Sequence, residues 1–169
     1  MRSLMHKPAP PAERPALLLW GIALASFGAV GAALVSQYQF DMQPCAFCTL
    51  QRLVFLLIGA VALIGALVPA AGLRRLVARL ALLLALCGVA SALWQHFIAA
   101  ANASCNLTWA DRIMSGLGLY DAAPAIFAPM ASCADAAVNL VGVPYAFWSV
   151  AVFVVCGLLG LRVAKLARG

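Results

Sequence analysis

Four stretches of this chain run apolar for the thickness of a bilayer: Ala16–Val35, Thr49–Pro69, Leu80–Ala101 and Leu140–Leu161. A helix rises about 1.5 Å per residue, so about 20 apolar residues cross a hydrocarbon core of about 30 Å. The first and last stretches carry no charge. The second carries only Arg52, at its start, and the third only His96, near its end. The pattern predicts an all-α membrane protein: a bundle of four transmembrane helices over about 16–35, 49–69, 80–101 and 140–161. Tails 1–15 and 162–169 flank it. Two connections, about 36–48 and 102–139, fall on one side. The longer one places Trp109, Ile113, Leu117 and Tyr120 at helical spacing, as a segment lying flat on the membrane would. An irregular patch fits its two glycines equally well. The stretch that follows, DAAPAIFAPMASC, holds two prolines and is expected to be non-helical. KPAPPAERP, near the start, reads as a short disordered tail.

Composition supports the membrane reading. The chain is 66% hydrophobic and 9% charged, where a soluble domain is about half apolar and a quarter charged. Its 169 residues suffice for one compact unit without a second domain. A net charge of +6 would suit nucleic acid, but its distribution argues otherwise. Nine of the 11 Lys and Arg residues lie before the first span, between the second and third, or after the fourth. Only Arg52 and Arg112 lie on the opposite side. Positive residues mark the cytoplasmic face, so both termini are expected there and the cysteine-bearing loops outside. The first apolar run is longer than the ~7–15 residues of a signal peptide core and is expected to remain as a span.

Six cysteines remain to be placed. Cys87 and Cys156 sit inside spans and read as small buried hydrophobes. Cys45, Cys48, Cys105 and Cys133 all fall on the outer side, where disulfides persist. Zinc is disfavoured: one pair is close, the other is 28 positions apart, and the outer loops hold no histidine. Thr49 stands where a haem-attachment motif needs His. A bond within Cys45-Ala-Phe-Cys48 would close too short a ring to staple a fold, which favours a redox switch. The wider pair, Cys105 and Cys133, fits either role.

The motif PCAFCTLQR, from Pro44 to Arg52, now gains a chemical reading. If the second helix begins near Cys48, its free N–H groups and dipole favour a thiolate at that sulfur. Arg52, four residues on, shares the helix face and adds a permanent positive charge. The bland alternative is an arginine that snorkels to lipid phosphates. With no dinucleotide fingerprint and no soluble domain, the simplest electron acceptor is a quinone dissolved in the lipid. A guanidinium would also hydrogen-bond a quinone carbonyl.

Over nearly its whole length the chain resembles the DsbB family of disulfide bond formation proteins. The resemblance rests on four spans, on PCAFCTLQR at the start of the second, and on the separated cysteines of the long loop. Cys133, Gly142, Pro144 and Trp148, leading into the last helix, add to it. It implies disulfides Cys45–Cys48 and Cys105–Cys133, and a DsbA-like periplasmic thioredoxin-fold oxidase that is reoxidised at the second pair. Electrons then pass to Cys45–Cys48, and Cys48 reduces ubiquinone or menaquinone from the membrane quinone pool beside Arg52. The setting it implies is the bacterial inner membrane. There are departures. Val138 stands where the family often has an aromatic residue. Some members carry a histidine near the outer end of the third span, which makes His96 a candidate quinone contact; the bland reading is an interfacial histidine. Gln51 either lines the site or faces a neighbouring helix. Two N-x-S/T patterns, at Asn102 and Asn106, read as accidental. The alternatives are a vitamin K epoxide reductase-like or reductase-direction relay, whose reactive CxxC belongs in a late helix, and a non-enzymatic scaffold with structural disulfides.

Overall fold

A computed structural model describes residues 13–101 and 108–167. Cys105, Asn102 and Asn106 lie outside the described residues, as does most of the N-terminal tail. Four long helices form the body: α1 (Glu13–Phe40), α2 (Ala46–Leu67), α3 (Ala71–Trp94) and α7 (Tyr145–Leu166). α3 continues into a π-helical turn, Gln95–Ala99. Between α3 and α7 come three short helices: α4 (Trp109–Gly116), α5 (Leu119–Ala122) and α6 (Pro124–Phe127). A two-stranded hairpin then leads into α7, with β1 (Asn139–Leu140) paired antiparallel to β2 (Val143–Pro144). All four long helices are apolar and long enough to span a membrane.

The helices make a closed square, α1 on α2, α2 on α3, α3 on α7 and α7 back on α1. Lipid tails are as apolar as leucine, so close packing rather than water exclusion holds such a bundle together. α3 supplies a seam of small buried residues, Ala78, Ala81, Ala85, Gly88 and Ala92. At Gly88 an added Cβ would collide with the ring of Phe153, which itself stacks on Phe55 at 3.9 Å. At the end away from the loops, Arg74 donates to the Gly65 carbonyl of α2 and Arg75 to Ala167 at the end of α7. Arginines there satisfy the carbonyls that helix ends leave open.

Several expectations change. α1 runs five residues past the predicted span, to Phe40, so part of the first connection is helical. α3 begins at Ala71 and takes in Arg74, Arg75 and Arg79, because a helix continues into the interface once its backbone bonds are made. The last span begins at Tyr145, not Leu140. Val141 and Gly142 both have positive φ (55° and 79°), the pattern of a tight hairpin turn. The proline-rich stretch is not wholly irregular. Pro124 opens one helical turn at a position whose N–H has no helical partner anyway. Cys87 is exposed on the outside of the bundle, whereas Cys156 is buried beside Ser26.

A second packed cluster sits above the bundle, on the first turn of α2. Cys45, Ala46, Phe47 and Leu50 meet Ala110, Met114, Phe127, Cys133 and Ala136 of the long loop. Trp109 meets Phe47 edge-on at 4.8 Å. α4 is held by a reciprocal cap between Thr108 and Asp111, and leaves Trp109, Ile113 and Leu117 exposed along one stripe.

Gly88→Ala is expected to destabilise the folded bundle by about 1–3 kcal/mol, the usual effect of overpacking. Thermal unfolding in detergent checks this, and Gly88→Ala combined with Phe153→Leu should recover much of the loss.

Candidate functional site

The site is built from the first turn of α2 outward. Cys45 is the N-cap residue, in extended conformation, and its carbonyl accepts the Thr49 N–H at 3.1 Å. The helix therefore starts two residues before Cys48, and the open N–H groups of its first turn are not reserved for that sulfur. The Phe47 N–H goes to Cys133 instead.

Cys133 reaches α2 because its loop is fastened along the stretch that precedes it. The Pro44 carbonyl accepts the N–H groups of Met130 (2.8 Å) and Ala131 (3.2 Å), just before Cys133. Tyr38 donates to the Ala125 carbonyl at 2.7 Å. Three sulfurs then lie in sequence. Cys133 is hydrogen-bonded to Cys45, and Cys45 Sγ is 3.1 Å from Cys48 Sγ. Hydrogen bonding to Cys133, then to Cys48, together with burial, pushes Cys45 well above the ordinary thiol range. The hydrogen bond from Cys45 lowers Cys133, helped by the Phe47 N–H and opposed by burial. The pair is thus polarised, with the negative charge favoured on Cys133.

Cys48 faces the opposite way, into a cavity of about 230 Å³ between α1, α2, the π turn and α7. Its walls include Ala29, Ala33, Phe55, Trp148 and Val152, and its polar groups include Gln51, Arg52 and Gln95. Arg52 is buried. It donates to Gln37 Oε1 (2.7 Å), the Ile126 carbonyl (2.8 Å) and the Ala33 carbonyl (3.3 Å). No carboxylate among the described residues bonds to it.

The sequence matches the family described as Disulfide bond formation protein DsbB over residues 14–163. Among similar proteins is Disulfide bond formation protein B of Cupriavidus necator, 32% identical over 76% of this chain and 79% of its own. Disulfide bond formation protein B 1 of Pseudomonas syringae pv. syringae is 33% identical over 87% and 86%. The Chromohalobacter salexigens protein of the same description is 34% identical over 78% and 80%. The chain belongs to the DsbB family. It is therefore a multi-pass membrane protein of disulfide bond formation, an oxidoreductase acting on thiols.

Within this DsbB framework, the structure brings Cys45, Cys48, Cys133 and Arg52 together, and Cys105 lies outside the described residues. His96 is set apart. It lines a smaller cavity of about 60 Å³ with Cys133, Asn139 and Tyr145, and its ring meets Phe97 and Phe147. Gln51 does line the large cavity. Sequence analysis missed Gln37, Gln95 and Tyr145. Gln95 had a usable signal, since an amide inside an apolar span is expensive unless it has work to do.

In the reduced protein, iodoacetamide is expected to keep modifying Cys133 below the ordinary thiol pKa of about 8.5, while Cys45 stays inert there. The thiolate is the reactive form, so a lowered pKa extends reactivity to lower pH and a raised one removes it. Peptide masses after timed labelling across pH 6–9 (roughly the window bracketing that value) check this; identical profiles for the two residues would refute it.

Proposed function

We propose that this protein reoxidises a DsbA-like thioredoxin-fold oxidase in the bacterial periplasm and passes the electrons to a membrane quinone. The observation that carries the reading is the line of sulfurs, Cys133 beside Cys45 and Cys45 3.1 Å from Cys48, ending at a cavity with a buried guanidinium. In this reading the protein sits in the inner membrane with both termini cytoplasmic and both cysteine loops periplasmic.

The exchange balances as follows. A thiolate of the reduced partner attacks the Cys105–Cys133 disulfide. The partner's second thiolate completes its own disulfide, leaving Cys105 and Cys133 reduced. The Cys133 thiolate attacks Cys45. A Cys45–Cys133 bond forms, the Cys45–Cys48 bond breaks, and its electron pair stays on Cys48. Cys105 then attacks Cys133, which restores Cys105–Cys133 and releases Cys45 as a thiolate. Two electrons have moved to the cavity wall. The polarisation of Cys133 against Cys45 supports this direction, since the nucleophile is the sulfur on which charge is favoured.

The residues around the cavity suit a quinone ring. Phe55, Trp148 and Val152 give it apolar walls, and Arg52, Gln51 and Gln95 offer N–H donors for a carbonyl. When bound, ubiquinone or menaquinone supplies a two-electron, two-proton acceptor. Arg52 would hold developing negative charge at the carbonyl oxygen, from a position its three protein acceptors keep rigid.

Purified protein given a reduced DsbA-like partner and a short-chain soluble quinone should consume the quinone continuously. Cys48→Ser should abolish turnover, and Cys105→Ser, which lacks the thiol that resolves the intermediate, should accumulate a Cys45–Cys133 link, visible by non-reducing peptide mapping. No turnover by the unaltered protein would support the scaffold reading instead. Arg52→Met should raise the KM for quinone by about tenfold or more, the loss of one charge-assisted hydrogen bond. An unchanged KM would remove Arg52 from the quinone site.

A further inference from the structure

The sulfur that ends the line has a donor of its own. At Gln95, α3 gives way to the π turn, closed by the Ala100 N–H on the Gln95 carbonyl at 2.9 Å. The Gln95 side chain is buried in the bundle, while Trp94 and Phe97 on either side of it in sequence are exposed. Gln95 Nε2 donates to Cys48 Sγ at 3.2 Å, and Gln51 Nε2 donates to Gln95 Oε1 at 2.6 Å. A primary amide has an acceptor end and a donor end. With its oxygen taken by Gln51, Gln95 keeps its NH₂ on the sulfur. The hydrogen bonds of Arg52 go to Gln37, Ile126 and Ala33, so besides Cys45 the side-chain donor at Cys48 is this amide.

We propose that Gln95 is a catalytic residue that stabilises Cys48 as the leaving thiolate, and that Gln51 is the positioning residue that orients its amide. The direction of exchange rests on the relay proposed above. When Cys133 attacks Cys45 and the Cys45–Cys48 bond breaks, the electron pair left on Cys48 meets a donor already aimed at it. No proton leaves Gln95; its neutral hydrogen bond becomes a charge-assisted one, which is about twice as strong.

The test needs neither quinone nor partner, so its outcome is separable from that of the relay. In reduced Cys45→Ala protein, the rate of iodoacetamide alkylation at Cys48 is read by peptide mass at pH 7, with Cys133 as internal reference. Gln95→Met keeps the length and removes the donor, and should slow Cys48 about tenfold relative to Cys133. Gln51→Met leaves the donor but frees its orientation, and should slow Cys48 about threefold by the same loss in part. A Cys48 rate unchanged in Gln95→Met, or slowed only in step with Cys133, would overturn the proposal. Should Gln95→Met fail to fold, Gln51→Met decides alone: an unaltered Cys48 rate there sinks the orienting role.

Discussion

A buried positive charge without a carboxylate is the constraint on which the site depends. Taking a guanidinium out of water is expensive unless its donors are satisfied. Arg52 meets that demand with three oxygen atoms from two helices: Ala33 and Gln37 of α1, and Ile126 of α6. These acceptors are dipoles, so they hold the group without cancelling its charge. The field of Arg52 stays available to the cavity and to Cys48. The same bonds tie the long loop to the bundle, because Ile126 belongs to the segment that delivers Cys133.

That loop is fixed where chemistry needs it. Tyr38 holds Ala125, Arg52 holds Ile126, and the Pro44 carbonyl holds Met130 and Ala131. Pro44 immediately precedes Cys45, so one short stretch both caps the loop and starts the reactive motif. Phe47, Met114 and Phe127 fill the space between, excluding water from two of the three sulfurs. Exchange between thiols needs close approach and a defined order of charge. The clamps supply the first, and the unequal environments of Cys45 and Cys133 supply the second.

The two ends of the sulfur line are served by different devices. Cys133 takes an N–H from the first turn of α2. Cys48 takes one from Gln95, a side chain on the π turn of α3. The N-terminus of α2 serves two sulfurs, with the Cys45 backbone bonding Cys48 and the Phe47 N–H bonding Cys133 of another loop. α2 starts at Ala46, two residues before Cys48, and a hydropathy pattern does not resolve two residues at a helix end.

Much of the architecture was legible in one dimension. Span number and the motif at the lip of α2 follow from local sums and fixed spacings, because crossing a bilayer depends on average polarity along about 20 residues. The Val141–Gly142 turn was not legible, since a β-branched residue at positive φ carries no turn signal. Nor were the partners of Arg52, the separation of His96 from the large cavity, or the Gln51–Gln95–Cys48 chain. Those depend on how each helix is rotated about its axis and how closely neighbours approach, to a fraction of a turn and an ångström. The sequence by itself determined which groups stand at the loop end of the membrane; only the packing of four helices and one fastened loop decided which of them touch.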